Sequence, residues 1–352
     1  MLLDRHVLPE QVRKHGNSWE EDCYNRSGRG WYGESEREGP NVLLFLSKRI
    51  VAMLLTMLSA SVLVFVVLEV SPGSVATKVL GPYSSPEQRQ LWLVQHGYSA
   101  PLATRYFAWL GKVVRGDFGY STRFKTPVHA VLWPRLAHTA LLGLTTFAVM
   151  IPLSLTLGIL AGMRAGSVYD RLISLISILT TSVPEFASAV VLSAIFVFSL
   201  AWLPGTSSMA EGFTWRELVL PTAVLVLYDF GYVTRMTRAS MTDVMHTDYI
   251  RTAVLKGLPW HVVILKHALR NALITPFTVI MLQINWLLSG VIVVEFFFAY
   301  KGFGVLLLEA SLNQDVYVIE ACTLVAVCVA VVTQTLADVG YTYLNPRLRF
   351  EA

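Results

Sequence analysis

The residue of this chain best placed to do chemistry is Asp229, an acidic side chain in the otherwise apolar stretch from Leu218 to Val233. Ionisable groups are costly inside a bilayer, and those that persist there tend to bind ions, protons or substrates. Tyr228 and Tyr232 lie near Asp229 on a helical wheel. Asp229 therefore predicts contact with a cationic group of a substrate or with a coupled proton. The alternative is a structural role, in which a neighbouring helix pairs the buried carboxylate.

Three further carboxylates, those of Glu185, Glu320 and Asp338, lie within or beside apolar stretches. They stand near the ends of those stretches, where a side chain can reach the membrane interface. A structural role is therefore favoured for these three over a role in transport.

The spacing of the remaining reactive residues predicts neither a metal site nor a catalytic residue. Of the eight histidines, the closest pair is His261 and His267, and no pair has the i, i+4 spacing of helical metal ligands. The sequence contains no Gly-x-x-x-x-Gly-Lys-Ser/Thr phosphate loop, no Gly-x-Ser-x-Gly and no His-Glu-x-x-His. We therefore predict that this chain binds no cofactor and hydrolyses no ATP by a phosphate-loop mechanism.

The elements that carry these residues are predicted to be membrane-spanning helices. Of the 352 residues, 54% are hydrophobic and only 15% are charged. Residues 50–68, 139–163 and 271–294 contain no charged side chain. Such runs match the roughly 20 residues that a helix needs to cross a bilayer, whereas a helix of a soluble domain carries a polar face.

We predict an all-α integral membrane fold with six transmembrane helices. They are expected at residues 50–70, 139–163, 178–203, 218–233, 273–294 and 319–341. The fourth contains Pro221, Asp229 and Gly231. It is therefore expected to be short, kinked or covered by protein.

Basic residues set the predicted orientation. Residues Lys48, Arg49, Arg164, Arg171, Arg347 and Arg349 and the basic segment 235–270 share one side if both termini are cytoplasmic. The predicted regions are a disordered cytoplasmic tail (1–41), a first transmembrane helix (42–70), an extracytoplasmic loop region (71–136), a main transmembrane domain (137–344) with a cytoplasmic loop (235–272), and a second cytoplasmic tail (345–352).

The cytoplasmic loop is predicted to form two short helices joined by a glycine. Thr247 or Asp248 suits the N-cap of the first helix, Gly257 suits its C′ position, and Pro259 suits the first position of the second. Ala253 and Gly257 are four residues apart, so they are expected to share a small face that a partner protein approaches closely. The alternative is an amphipathic loop that anchors on anionic membrane lipid.

The same loop carries a family resemblance. The segments Arg251-Thr252-Ala253 and His267-Ala268-Leu269-Arg270, with Gly257 between them, resemble the coupling loop of binding-protein-dependent ABC import permeases. In the commoner form of that loop, the first segment reads Glu-Ala-Ala. Its second segment has an apolar residue where this chain has His267, and Pro where this chain has Arg270. The residues found here are typical of the dipeptide/oligopeptide/nickel branch.

Segments in the same order along the chain support this resemblance from Val42 onward. They are Lys48-Arg49, Ser71-Pro72-Gly73-Ser74, Arg115-Gly116-Asp117-Phe118-Gly119-Tyr120-Ser121, Ser182-Val183-Pro184-Glu185-Phe186 and Asn345-Pro346-Arg347-Leu348-Arg349. The resemblance implies a type I ABC importer permease in the bacterial inner membrane, with residues 137–344 as its permease domain. The loop residues implied to contact the ATPase are Tyr249, Arg251, Thr252, Ala253, Lys256, Gly257, His267 and Arg270.

The resemblance also implies partners. These are a second homologous permease, two ABC ATPase subunits that bind ATP and Mg²⁺, and an extracytoplasmic solute-binding protein, with no nucleic acid. The expected solute is a peptide or a related small molecule. The alternative function is a secondary transporter driven by an ion gradient, which would show inverted repeats and a carboxylate at the bilayer midplane.

Overall fold

The computed structural model describes residues 42–69, 76–77, 79–81, 83–209 and 212–344. The two predicted tails, 1–41 and 345–352, lie outside the described residues. The contacts reported below belong to the compact unit that spans residues 47–352.

The described residues are predominantly helical. In chain order the helices are α1 (Val42–Glu69), α2 (Pro86–Gln95), α3 (Leu102–Val114), α4 (Val128–Met163), α5 (Val168–Ser182), α6 (Glu185–Ser193), α7 (Trp215–Met245), α8 (Asp248–Leu255), α9 (Trp260–Val262), α10 (Leu269–Ala272), α11 (Ile274–Phe297), α12 (Phe303–Leu312) and α13 (Val316–Leu344). A π-helical segment, Ala194–Ser199, continues α6, and another, Val263–Ala268, joins α9 to α10.

Four of these helices, α1, α4, α7 and α13, are each long and apolar enough to cross a membrane. Two bent pairs raise the number to as many as six. The first joins α5 to α6 with its π-helical segment at an angle of 102°, and the second joins Trp260–Ala272 to the start of α11 at 47°. The all-α membrane fold predicted from the sequence is confirmed.

Two of the predicted spans have different bounds in the structure. The third, expected as one helix over 178–203, breaks at Val183, which is extended, because Pro184 follows it and disfavours helical geometry there. The fourth, expected over 218–233, is a helix of 31 residues that continues to Met245. The cytoplasmic loop predicted to begin at residue 235 therefore begins at His246.

α7 is the most enclosed of the four full-length spans. Of its apolar part 61% is buried, against 17 to 33% for the other three. This agrees with the expectation that protein covers the fourth span. One close approach is at Gly158 on α4, where a Cβ would lie 2.5 Å from Thr237 Cβ and 2.7 Å from the Thr234 carbonyl oxygen. Small residues at such crossings let two membrane helices pack backbone to backbone.

The predicted extracytoplasmic region, 71–136, contains α2, α3 and the first turns of α4. It is tied to the start of α13 by Asp315, which is fully buried. The Ser121 hydroxyl donates to Asp315 Oδ2 over 2.6 Å, and the Arg123 backbone N–H donates to the same oxygen over 3.0 Å. The Arg-Gly-Asp-Phe-Gly-Tyr-Ser segment therefore ends at Ser121, which is hydrogen-bonded to the residue that precedes the last span.

Glu295, which the sequence analysis did not single out, lies near the C-terminal end of α11 and is hydrogen-bonded to two other helices. It is fully buried and accepts hydrogen bonds from the Thr139 hydroxyl and from the Val305 backbone N–H at 3.0 Å. The Phe303 N–H in turn donates to Thr139 Oγ1 over 2.7 Å. These hydrogen bonds join α4, α11 and α12. The position of the carboxylate at the N-terminus of α12 is also electrostatically favourable, because a helix N-terminus carries partial positive charge.

Candidate functional site: the cytoplasmic loop and the Asp229 cavity

The first loop helix, α8, ends in a left-handed glycine, as the sequence predicted. Gly257 has a φ of 71°. Its N–H donates to the Val254 carbonyl over 2.9 Å, and the Leu258 N–H donates to the Ala253 carbonyl over 3.4 Å. This pair of bonds is the Schellman arrangement, which satisfies carbonyls that the helix end leaves without a partner.

Of the other two predicted caps, Thr247 is in its predicted position and Pro259 is shifted by one. Thr247 is the N-cap of α8 and has an extended backbone, but its hydroxyl donates to the Val244 carbonyl over 2.6 Å. Pro259, expected as the first residue of the second helix, is its N-cap, and Trp260 is the first helical residue. The chain between Lys256 and Pro259 therefore turns sharply from α8 into α9.

The loop has an apolar core of its own, built on the C-terminal end of α7. The buried members are Met241, Ile250, Ala253, Val263, Ile264, Ala268 and Ala272. Ala253 is only 5% exposed, whereas Gly257 is exposed. The expectation that these two residues share a face open to a partner is wrong, because Ile250 and Ala253, three residues apart, form the face that packs on α7.

Hydrogen bonds hold the two halves of the loop together and tie the end of the loop to α7. The Asn271 side-chain amide on α10 donates to the Tyr249 hydroxyl on α8 over 2.9 Å. The Ser240 hydroxyl on α7 donates to the Ala272 carbonyl over 2.8 Å. The end of the loop is therefore held on α7 before the chain continues into α11.

An exposed apolar surface surrounds the turn at Gly257. We call it the loop corner, and it consists of Val254, Leu255, Leu258 and Trp260. Leu255 is 79% exposed and Trp260 is 51% exposed. None of the four was among the predicted coupling residues. Their signal in the sequence is the presence of large apolar side chains on both sides of a glycine turn in a basic loop.

The predicted coupling residues fall into two groups. Exposed around the loop are Tyr249, Arg251, Thr252, Lys256, Gly257 and Arg270. His267 is half-buried and Ala253 is buried. Three of the exposed members, Arg251, Lys256 and Arg270, are basic, and Ala253 instead supports the loop from inside.

Asp229 lies midway along α7 and is fully buried. The Gln283 amide nitrogen on α11 donates to Asp229 Oδ1 over 2.7 Å. Asp229 Oδ2 has no hydrogen-bond partner among the described residues. An unsatisfied buried oxygen costs about 1 to 3 kcal/mol and more when it is charged. Gln283, a neutral side chain on a neighbouring helix, therefore pairs one oxygen of Asp229, as the structural alternative expects, and leaves the other oxygen unpaired.

A cavity of about 300 Å³ adjoins Asp229. Its lining consists of Thr181, Tyr228, Asp229, Tyr232, Arg235 and Gln283. The structure therefore brings together the two tyrosines and the aspartate that the sequence placed near one another, and adds side chains from α5 and α11.

The other three carboxylates have distinct surroundings. Glu320 is buried and accepts a hydrogen bond from the Trp109 indole N–H over 3.0 Å. Asp338 forms an ion pair with Arg49 on α1. These contacts fit the structural roles predicted for Glu320 and Asp338. Glu185 opens α6 and interacts electrostatically with Asp229.

Residues 154–350, which include both the loop and Asp229, match the family described as binding-protein-dependent transport system inner membrane component. The chain belongs to this family. The permease is 32% identical over 313 residues to the oligopeptide transport system permease protein AppB of Bacillus subtilis (strain 168), an alignment that covers 87% of the permease and 99% of AppB. It is 33% identical over 310 residues to the glutathione transport system permease protein GsiC of Escherichia coli (strain K12), covering 88% of the permease and 100% of GsiC.

The permease is therefore a multi-pass inner-membrane subunit of an ABC importer. It is not itself an enzyme, since ATP hydrolysis in such importers belongs to a separate subunit. The alternative of a secondary transporter driven by an ion gradient is not supported. The family also implies an ATPase and a solute-binding protein as partners.

Proposed function

We propose that this permease forms half of the transmembrane pathway of an importer for peptides or a related small solute. The names of its oligopeptide and glutathione relatives support that solute class. It pairs with a second homologous permease and with two ATPase subunits that bind ATP and Mg²⁺. A solute-binding protein delivers the solute from outside, and both termini of the permease lie in the cytoplasm. Membrane lipid surrounds the spans.

The observation that carries the coupling role is the loop corner. Its four side chains are large and apolar, yet they are 37 to 79% exposed in a loop whose core is otherwise well buried. Burying apolar surface is favourable by about 25 cal/mol per Å². The exposed basic residues Arg251, Lys256 and Arg270 flank this surface and disfavour its insertion into hydrocarbon. A protein partner, the ATPase subunit, covers it best.

The attachment of the loop explains how movement reaches the pathway. A displacement of the loop corner acts on α7 through the buried core and the Ser240–Ala272 hydrogen bond, and on α11 through α10, which leads directly into it. Those two helices also carry Asp229 and Gln283, which are hydrogen-bonded to each other beside the cavity. ATP-driven movement of the ATPase therefore shifts the walls of the cavity by rigid-body rotation of packed helices.

The predicted coupling residues take specific roles in this proposal. Gly257 makes the sharp turn that presents the loop corner. Arg251, Lys256 and Arg270 supply charge for acidic groups of the ATPase, and Tyr249, Thr252 and His267 border the contact. Ala253 acts indirectly by holding α8 on α7.

The test is to replace the most exposed residue of the loop corner in the assembled importer. We expect Leu255→Asp to abolish co-purification of the ATPase subunits, because it places an acidic side chain in an apolar contact. Val114→Asp is the matched control: Val114 is equally exposed, at 79%, but ends α3 in the predicted extracytoplasmic region. Undiminished co-purification with Leu255→Asp, accompanied by weaker binding to anionic vesicles, would instead identify the loop corner as a lipid anchor.

A further inference from the structure

The cavity beside Asp229 gathers side chains from three helices that are distant in sequence. Thr181 comes from α5, Gln283 comes from α11, and the other lining residues come from α7. Tyr228, Tyr232 and Arg235 follow one another at i, i+4 and i+7, so they lie on one face of α7. At about 300 Å³ the cavity falls within the range of small-molecule sites.

The charged groups near the buried end of this cavity are acidic, so this end favours a cation. Asp229 is fully buried, and its Oδ2 has no partner among the described residues. The charged group that acts on it electrostatically is Glu185, which is also acidic. A positive group beside Asp229 would satisfy the orphaned oxygen and offset the repulsion from Glu185.

The opposite charge stands farther along α7, on the face that carries Tyr228 and Tyr232. Arg235 is exposed and lines the cavity six residues after Asp229. Arg235 Nε donates to the Gly231 carbonyl over 3.4 Å, so the guanidinium bends back along α7 towards Asp229. A carboxylate and a guanidinium on the wall of one cavity can bind the two oppositely charged ends of a short peptide.

We propose that this cavity binds the terminal ammonium group of a short peptide at Asp229, and its carboxylate at Arg235. The tyrosine hydroxyls and the Gln283 amide add hydrogen bonds between the two ends. This inference rests on the proposed function, since it names the solute that the pathway receives. It assigns to the permease itself a share of the selectivity for a free amino terminus.

The site is linked to the transport cycle by its position. Asp229 has no exposed surface in this conformation, whereas Tyr232 at the rim is 43% exposed. The ammonium group therefore reaches Asp229 when the rim opens. α7 and α11, which meet at the Asp229–Gln283 hydrogen bond, are the two helices that the cytoplasmic loop joins. Movement of the loop thus opens or closes the site.

The test uses Tyr232→Cys in the full permease–ATPase complex, with Cys23, Cys322 and Cys328 replaced by Ala. Two thiol reagents of similar size are compared, a thiosulfonate that bears an ammonium group and one that bears a sulfonate group. We expect the ammonium reagent to react roughly tenfold faster, because the carboxylates concentrate cations. Asp229→Asn and Glu185→Gln should each move the ratio of rates towards one. Glu320→Gln, which neutralises a buried carboxylate outside the cavity, is the matched control and should leave the ratio unchanged.

Protection by peptide provides the second readout. Trialanine should slow labelling of the cysteine at position 232, and N-acetyl-trialanine should not. Equal protection by both peptides, no protection by either, absence of labelling, or a rate ratio that ignores Asp229→Asn would each overturn the inference. Because none of these measurements requires ATP hydrolysis, they fail independently of the coupling role tested at Leu255.

Discussion

Arg238 on α7 holds Asp170 on α5 through two parallel hydrogen bonds. Arg238 Nε lies 2.6 Å from Asp170 Oδ1, and Arg238 Nη2 lies 2.7 Å from Asp170 Oδ2. The Asp170 side chain is 4% exposed and that of Arg238 is 35% exposed. Because bidentate arginine–carboxylate pairs combine charge with fixed geometry, this contact sets how α5 lies on α7, close to the cytoplasmic loop.

The first prediction concerns the strength of that contact. We expect Asp170→Asn to lower the stability of the permease by about 1 to 3 kcal/mol, since it removes charge-assisted hydrogen bonds from a buried position. The measurement is the thermal midpoint of the purified complex in detergent. Glu309→Gln serves as control, because the Arg135–Glu309 pair is longer, at 3.5 Å, and Glu309 is 42% exposed. Exposed pairs contribute about 0 to 1 kcal/mol. Equal shifts in both variants would contradict this prediction.

The second prediction concerns the turn at Gly257. Its φ of 71° suits glycine and, less well, asparagine, whereas a β-branched residue is strained there by about 1 to 2 kcal/mol. No neighbouring atom lies within 4 Å of an added Cβ, so the strain comes from the backbone alone. We expect Gly257→Val to insert normally but to lose solute-stimulated ATP hydrolysis in reconstituted vesicles, and Gly257→Asn to retain most of it. If both variants retain full stimulation, the shape of this turn does not matter for coupling.

The third prediction separates support of the loop from contact with the partner. Ala253 is buried against α7, and its neighbour Thr252 is exposed. Ala253→Asp places a charge in the loop core, so we expect the loop to loosen and trypsin to cleave after Arg251 or Lys256 several-fold faster. Thr252→Asp should leave the cleavage rate unchanged. Equal cleavage in the two variants would show that Ala253 does not support the fold of the loop.

The fourth prediction concerns orientation. A cysteine at position 252 should react with impermeant reagents only from the cytoplasmic side, and one on α2 only from outside. Glu87 is the better choice on α2, because it is exposed, whereas Ser85 is half-buried and accepts a hydrogen bond from the Gln88 N–H at 3.2 Å. Labelling of position 252 in intact cells would exclude cytoplasmic placement of the loop.

Much of the architecture was predictable because it depends on local properties of the chain. An apolar run of sufficient length can satisfy its backbone in a bilayer only as a helix, so composition alone identified the spans. Gly257 was identified as a C′ residue because a left-handed backbone at a helix end favours glycine whatever lies around it. The motifs of the loop likewise identified the family before any contact was known.

The errors and omissions arose where distant segments meet. Ala253 was assigned to the wrong face because the rotation of α8 about its axis is set by packing on Met241, and sequence spacing fixes only which residues share a face. The carboxylate of Glu295 is hydrogen-bonded to Thr139, which is 156 residues away in the sequence, and Asp229 is hydrogen-bonded to Gln283, which is 54 residues away. Composition determined that this chain is a helical membrane protein, since burial of apolar side chains is a local requirement. Only the tertiary structure decided which side chains line the cavity and which surround the loop turn, because those neighbours are chosen by the packing of whole helices against one another.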